Sequence, residues 1–245
     1  TMAAGDTDAD VYVVQAILTL TGELDERRLA DAARELLRRQ PALRVHLATT
    51  AGGEVVQVVP AEPDLDWQLI DMSTTGSGVD SSGDGGPEAR FAARCREELE
   101  RPFDPEVPPL IRFRLFRFGP AEHRLVLTNH HALLDGWSMP LTGRTLLGLY
   151  RELGGGPAVP PSASPQDYHH WLAGRDRDAA LDAWRDALSG VDDATRLAPV
   201  TARREVARPG AVTLELGEEF SERLSAFARA RGITVTTVLQ TAWGL

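Results

Sequence analysis

The sequence predicts a mixed α/β fold, and three observations support that prediction. Short β-branched runs alternate with amphipathic helical patterns through residues 1–155. A Gly- and Pro-rich stretch at 156–164 is typical of a linker, and residues 165–245 are patterned almost entirely as helices. Apolar content of 42% and charged content of 25% are those of a globular chain. We therefore expect an α+β two-layer sandwich at 1–155, a linker at 156–164 and the incomplete start of a second lobe at 165–245.

The first lobe is expected to begin with a strand and a helix. Residues 11–20 are rich in β-branched side chains, which favour a strand. Asp25 is placed to cap the following helix, and Pro41 ends it. The inward face of this helix is predicted to consist of small and branched apolar residues: Leu29, Ala32, Ala33, Leu36 and Leu37.

Further strands and helices follow in both segments. Gly52 and Gly53 predict a hairpin between two short strands. The expected strands are 43–49, 54–59, 67–72, 110–118, 123–129 and 211–216. The expected helices are 88–100, 139–153, 166–174, 177–189, 219–231 and 235–245. Residues 73–87 hold few apolar side chains and predict a mobile surface loop.

Composition excludes several classes of function. A net charge of −10 argues against nucleic acid as a partner. All 26 basic residues are arginine, so no lysine is present for Schiff-base, pyridoxal phosphate or Walker-type phosphate chemistry. No apolar run reaches the ~20 residues of a membrane helix, and no signal peptide is evident. We expect a cytoplasmic protein whose single cysteine, Cys95, is a buried structural thiol.

The segment His130-His131-Ala-Leu-Leu-Asp135-Gly136 lies between a predicted strand and a predicted helix. Strand alternation is expected to send His130 and His131 to opposite faces, so that one of them faces a cavity. Asp135-Gly136 predicts a turn, with Gly136 free to take a positive φ or to admit a ligand, and Ser138 is expected to cap the next helix. A metal site formed with His169 and His170 is a rival interpretation, but the spacing matches no zinc pattern.

These residues resemble the condensation domains of nonribosomal peptide synthetases. The family's HHxxxDG signature is matched at His130 to Gly136 and extended by Trp137-Ser138. The family's Arg-Arg-His-x-x-Leu-Arg stretch is similar to residues 38–44, with Gln40 in place of His. A Tyr-x-x-Trp element is similar to residues 168–171. The family's opening motif and its later second-lobe motifs are missing, so the resemblance implies a truncated domain with a chloramphenicol-acetyltransferase-like first lobe.

The resemblance also implies an activity and its partners. The activity is amide bond formation between a donor acyl or peptidyl thioester and the amine of an acceptor aminoacyl thioester. Donor and acceptor carrier domains bear these groups on 4'-phosphopantetheine arms, an adenylation domain is adjacent, and no other cofactor is bound. An imidazole, with a reference pKa of about 6.5, suits proton transfer. His131 is therefore the expected catalytic group, acting as a base or positioning the amine.

The remaining motif residues receive supporting roles. Gly136 is expected either to make the turn or to offer its backbone N–H to the oxyanion. The resemblance points to an ion pair between Asp135 and Arg44, with Asp135 as an orienter of His131 as the alternative. His130, Trp137 and Ser138 are expected to support the site structurally.

Three alternatives remain open from the sequence. They are an epimerisation domain, a coenzyme A-dependent acyltransferase of the same superfamily, and a noncatalytic carrier-docking fragment. The truncated chain alone is expected to be inactive. The sequence leaves open which donor and acceptor are joined.

Overall fold

A computed structural model describes residues 12–62, 64–73, 86–191 and 213–244. Their strands are β1 (Val13–Thr21), β2 (His46–Thr49), β3 (Val55–Val58), β4 (Asp66–Asp71), β5 (Ile111–Gly119) and β6 (Glu122–His130). Their helices are α1 (Glu26–Arg39), α2 (Pro87–Glu100), α3 (Ser138–Leu153), α4 (Pro165–Ala173), α5 (Arg177–Ala187), α6 (Glu218–Ala230) and α7 (Val235–Gly244). The chain divides into two compact units, of which the first ends at residue 206. The loop expected to be mobile at 73–87 lies mostly outside the described residues.

A four-stranded mixed sheet in the order β1-β6-β5-β4 organises the first unit. β6 is antiparallel to both β1 and β5, whereas β4 is parallel to β5. Val13 and His130 are register partners, so the start of β1 lies beside the end of β6. The predicted hairpin is confirmed, because β2 and β3 form a separate antiparallel pair.

Helices cover both faces of this sheet. The five predicted inward residues of α1 are all buried in one core with α3, Phe113, Leu125 and Leu127. On the other face, Phe91 and Cys95 of α2 pack with Phe116 and Val126. The expected mixed sheet with flanking helices is confirmed, and α2 adds a layer to the two that were expected.

Buried charge ties α2 to the sheet. Arg112 and Arg114 of β5 are both nearly inaccessible, and both lie against the Glu98 carboxylate, at 3.1 and 2.7 Å. Arg114 also donates to the Asp66 carboxylate at 2.7 Å. Burial lowers the pKa of Arg112 to about 10, which leaves the guanidinium charged at neutral pH. This network fixes the edge of the sheet that lies farthest from β1.

Residues 156–164 contain no helix or strand, in agreement with the sequence, and they pack within the first unit. The Val159 amide donates to the Glu152 carboxylate at 2.7 Å, and its side chain packs against the main core. The compact units do not divide at this segment. The lobe boundary at 156–164 therefore remains a prediction.

The second unit is described by α6 and α7. Arg231 stacks on Phe227 at 3.7 Å, and the Thr234 hydroxyl accepts a hydrogen bond from the Thr237 amide at the start of α7. The expected strand at 211–216 is wrong for residues 213–216, which form neither helix nor strand. A strand needs a backbone partner, and the described part of this unit offers only helices. None of the helices among the described residues is long and apolar enough to cross a membrane.

Candidate active site

The strand β6 ends at His130, and a tight turn carries the chain from there to α3. The His130 amide donates to the Leu110 carbonyl of the β5 side at 3.0 Å, and the His131 amide donates to the Tyr12 carbonyl of the β1 side at 2.6 Å. The Leu133 amide donates back to the His130 carbonyl at 2.9 Å. The backbone of both histidines is therefore held by the two neighbouring chain segments and by the turn itself.

The two histidines share one concave surface. His130, His131, Tyr12 and Ala132 line a cavity of about 440 Å³. The expectation that His130 faces away is wrong, because His131 lies in the turn and strand alternation no longer applies to it. His131 is exposed, and His130 is half-buried with its ring 5.8 Å from that of Tyr12.

The tautomer of His130 follows from a local hydrogen bond. Its Nδ1 accepts from the Ala132 amide at 3.1 Å, so this nitrogen carries no proton and the imidazole proton lies on Nε2. This bond bends the chain directly after His131. The His130 ring therefore binds the backbone of the turn while also lining the cavity.

Asp135 and Arg44 do not form the expected ion pair. Asp135 Oδ1 accepts from the Ser138 amide at 2.8 Å and from the Ser138 hydroxyl at 2.6 Å. Both bonds lower the pKa of Asp135, and the bond from the hydroxyl has the larger effect. Asp135 thus caps the turn that leads into α3, two residues before the N-cap position Trp137, whose own side chain makes no capping bond. Ser138, expected to be the cap, is instead the first helical residue and the donor.

Arg44 is occupied elsewhere, by three backbone carbonyls. Its Nε donates to Pro60 at 2.9 Å, and its Nη1 donates to Leu37 at 2.7 Å and to Arg38 at 2.8 Å. A guanidinium presents several donors in a fixed plane, which suits carbonyls that converge from a helix end and a loop. Arg44 therefore joins the last turn of α1 to the segment after β3.

The middle residues of the motif differ in how they are anchored. Leu134 is 8% exposed and belongs to the main core, and Leu133 packs against that core from a half-buried position. Ala132 and Leu133 also border a second cavity of about 550 Å³ between the β2–β3 hairpin and the start of α4. The turn is thus pinned by leucine on its inner side and open on its outer side.

Gly136 has ordinary backbone geometry and open space in front of it. It is absent from the positive-φ glycines of the described chain, so the turn does not require glycine for its conformation. An added Cβ meets no heavy atom within 4 Å, and the Gly136 amide donates to none of the described residues. Trp137, expected to support the site, is 86% exposed and does not support it by packing.

The second histidine pair lies on α4, where His169 borders the cavity that Ala132 and Leu133 also line. His169 and His170 are both exposed on α4, and Tyr168 and Trp171 are more than half exposed, with rings 5.7 Å apart. Among the described residues, no three His, Cys, Asp or Glu side chains are grouped as a metal site requires.

Sequence reasoning missed two residues of the site. Tyr12 contributes its carbonyl and its ring, and Asn129 donates from Nδ2 to the His130 carbonyl at 2.8 Å. Nothing in the sequence paired β1 with β6, so the role of Tyr12 had no local signal. Asn129 did have one, because an amide on the face of Leu125 and Leu127 is unusual for a buried strand.

Comparisons with known proteins agree on one family. The chain matches the family described as "Condensation domain" over residues 2–245. It is 31% identical to a linear gramicidin synthase protein of Brevibacillus parabrevis over 246 residues, which is 97% of this chain and 5% of that protein. It is 29% identical to a chondramide synthase of Chondromyces crocatus over 243 residues, which is 96% of this chain and 6% of that protein.

Solved structures share the fold. SgcC5 from Streptomyces globisporus matches with a TM-score of 0.74 and 24% identity, over 100% of this chain and 55% of that one. The X-domain solved with OxyB from teicoplanin biosynthesis matches with a TM-score of 0.69 and 26% identity, over 98% of this chain and 52% of that one. The chain thus spans about half the length of these solved relatives and a few per cent of the curated ones.

Proposed function

The chain belongs to the condensation-domain family, and from that premise we propose that it forms an amide bond between two carrier-bound thioesters. The amine of an acceptor aminoacyl thioester attacks the carbonyl of a donor acyl or peptidyl thioester. The new C–N bond replaces the C–S bond, and the departing phosphopantetheine sulfur takes up the proton that the amine loses. The observation that supports this proposal best is the exposed imidazole of His131 on an open cavity, held through its own backbone.

His131 is the proposed catalytic residue. A free α-amine has a reference pKa of about 7.7–8.0, so an appreciable fraction is neutral near pH 7.5. The proton that matters is therefore the one on the nitrogen of the tetrahedral intermediate, and an imidazole beside it is suited to accept that proton. Holding the amine in line with the carbonyl is a second contribution, since oriented reactants lower the barrier by several kcal/mol.

The developing oxyanion of the donor carbonyl is proposed to come close to the backbone at Gly136. The open space before its Cα and its unengaged amide allow the developing oxyanion to lie near the backbone. Asp135 supports the site indirectly, because its cap fixes where α3 begins. Arg44 acts through structure alone, by its bonds to backbone carbonyls.

The acceptor and donor are proposed to be presented by carrier domains of a multidomain synthetase, with an adenylation domain adjacent, in the cytoplasm. The synthases with which the chain aligns are many times longer than it, which supports this context. No cofactor beyond the carriers' phosphopantetheine arms is part of the proposal.

A substrate comparison tests the proposed function. The full-length protein that contains these residues is mixed with donor-loaded and acceptor-loaded carriers, and condensed product is measured by mass spectrometry. The same donor is then supplied as its coenzyme A thioester. Product from carriers at a rate far above that from coenzyme A is expected. Equal or faster transfer from coenzyme A points to the acyltransferase alternative, and carrier binding without product points to a docking role.

The docking role has one specific observation in its favour. The X-domain to which this chain is similar was solved in a complex with OxyB. The histidine pair and Asp135-Gly136 favour catalysis in this chain, since a docking surface has no need of an imidazole on a cavity.

A further inference from the structure

Asn129 is the last residue before the histidine motif, and it occupies an unusual place for an amide. It lies in the central strand β6, with Val14 of β1 and Ile111 of β5 as its register partners. Its accessible surface is 0% of that of a free residue. By strand alternation its side chain lies on the same face as Leu125 and Leu127, which form part of the main core.

The amide group makes one hydrogen bond and leaves one polar atom unsatisfied. Nδ2 donates to the His130 carbonyl, whereas the buried Oδ1 accepts nothing from the residues that the structure describes. A buried polar atom without a partner destabilises a fold, and a leucine at this position avoids that penalty. The single N–H bond to the His130 carbonyl therefore calls for an explanation in terms of the site.

That carbonyl controls the direction of His131. It belongs to the planar peptide group that joins His130 to His131, so its orientation fixes the plane that leads into the His131 Cα. Two donors converge on it, the Asn129 carboxamide at 2.8 Å and the Leu133 amide at 2.9 Å. Removal of the side-chain donor leaves two bonds to hold this peptide plane, the one from the Leu133 amide to the His130 carbonyl and the one from the His131 amide to the Tyr12 carbonyl.

We propose that Asn129 is a positioning residue, which holds the His130–His131 peptide plane and so aims the His131 imidazole into the cavity. The proposal rests on the proposed function for its catalytic consequence, and on geometry alone for the ordering of the turn. Asn129 does not touch the substrates, and its effect passes through the backbone of the motif.

Two substitutions separate positioning from general stability. Asn129→Leu removes the donor and puts an apolar side chain in its place. We expect kcat to fall by about tenfold or more while KM for the acceptor-loaded carrier stays within about twofold. Thr128→Val is the matched control, because Thr128 is equally buried on the same strand and its hydroxyl accepts from Gln15 at 3.1 Å, away from the turn. It is expected to lower the melting temperature without lowering kcat.

The pH dependence of kcat in Asn129→Asp distinguishes a positioning role from a purely structural one. Burial raises the pKa of a carboxyl group, and only the protonated form can donate to the His130 carbonyl. The ratio of kcat for Asn129→Asp to kcat for the wild type is therefore expected to rise as the pH falls from about 8.5 to about 6, at temperatures where both proteins are folded. A ratio that stays flat over this range overturns the positioning role.

Hydrogen exchange on the described chain tests the geometric part independently of activity. Exchange of the Leu133 amide is expected to quicken in Asn129→Leu and to be unchanged in Thr128→Val. Unchanged exchange in Asn129→Leu overturns the proposal even if amide formation is observed. Faster exchange in a protein that forms no amide supports the turn-ordering claim while the proposed function fails.

Discussion

Arg44 offers a direct test of how the motif turn is supported, because its observed partners differ from the expected one. Arg44→Ala removes three hydrogen bonds, to the carbonyls of Leu37, Arg38 and Pro60. A hydrogen bond contributes about 1 kcal/mol net. Arg44 is half-buried, so in the variant water can reach some of the carbonyls that have lost their donor. We expect the free energy of unfolding to fall by about 2–3 kcal/mol, measured by urea denaturation followed by circular dichroism.

The control and the refuting results are equally specific. Arg27→Ala removes the same charge from an exposed position on α1 and is expected to change stability by less than about 0.5 kcal/mol. If Arg44 does not pair with Asp135, the losses in melting temperature from Arg44→Ala and Asp135→Ala should add in the double variant. A double variant no less stable than Arg44→Ala alone refutes the assignment and restores the ion pair.

Three further predictions concern residues around the site. Asp135→Asn should keep the melting temperature, since Asn caps as well as Asp does, whereas Asp135→Ala should lower it. Because the pKa of Asp135 is lowered in the fold, the charge-dependent part of its contribution is present above about pH 4 and is lost as the pH falls through the folded value, so the difference between Asp135→Ala and wild type should shrink in acid. An unchanged difference there contradicts the cap. Burial raises the pKa of Cys95 to about 11, so iodoacetamide should alkylate the native thiol roughly a hundredfold more slowly at pH 8 than it alkylates a free cysteine. Labelling at the free rate contradicts its burial. Gly136→Ala should leave the melting temperature unchanged, because its Cβ meets no atom, yet slow amide formation by about tenfold or more. Full activity of Gly136→Ala contradicts the proposed role of Gly136 in the reaction.

Local patterns predicted the local elements well. The 3.6-residue period of α1 placed all five inward residues correctly, because a helix face is fixed by spacing alone. Asp25 caps that helix as expected, and its side chain accepts from the Arg28 amide at 2.9 Å. Cys95 is buried, as expected for a single structural thiol.

Non-local contacts were beyond such patterns. The family resemblance paired Asp135 with Arg44, which is distant in the sequence, whereas Asp135 binds Ser138, three residues away. The prediction that the two histidines lie on opposite faces was wrong, because β6 ends where its pairing with β1 ends. The sequence does not reveal that pairing. The strand expected at 211–216 had the right residue types, but strand formation depends on a neighbouring strand.

The central claim is that His131, rather than His130, carries the chemistry of amide formation. Both rings line the same cavity, so position alone does not separate them. The decisive measurement is the single-turnover rate of condensed product from two loaded carriers, for the full-length protein and its His131→Ala and His130→Ala variants. We predict a loss of about a hundredfold or more for His131→Ala and a much smaller loss for His130→Ala. A His131→Ala variant within about threefold of wild type, or a larger loss for His130→Ala, contradicts the claim.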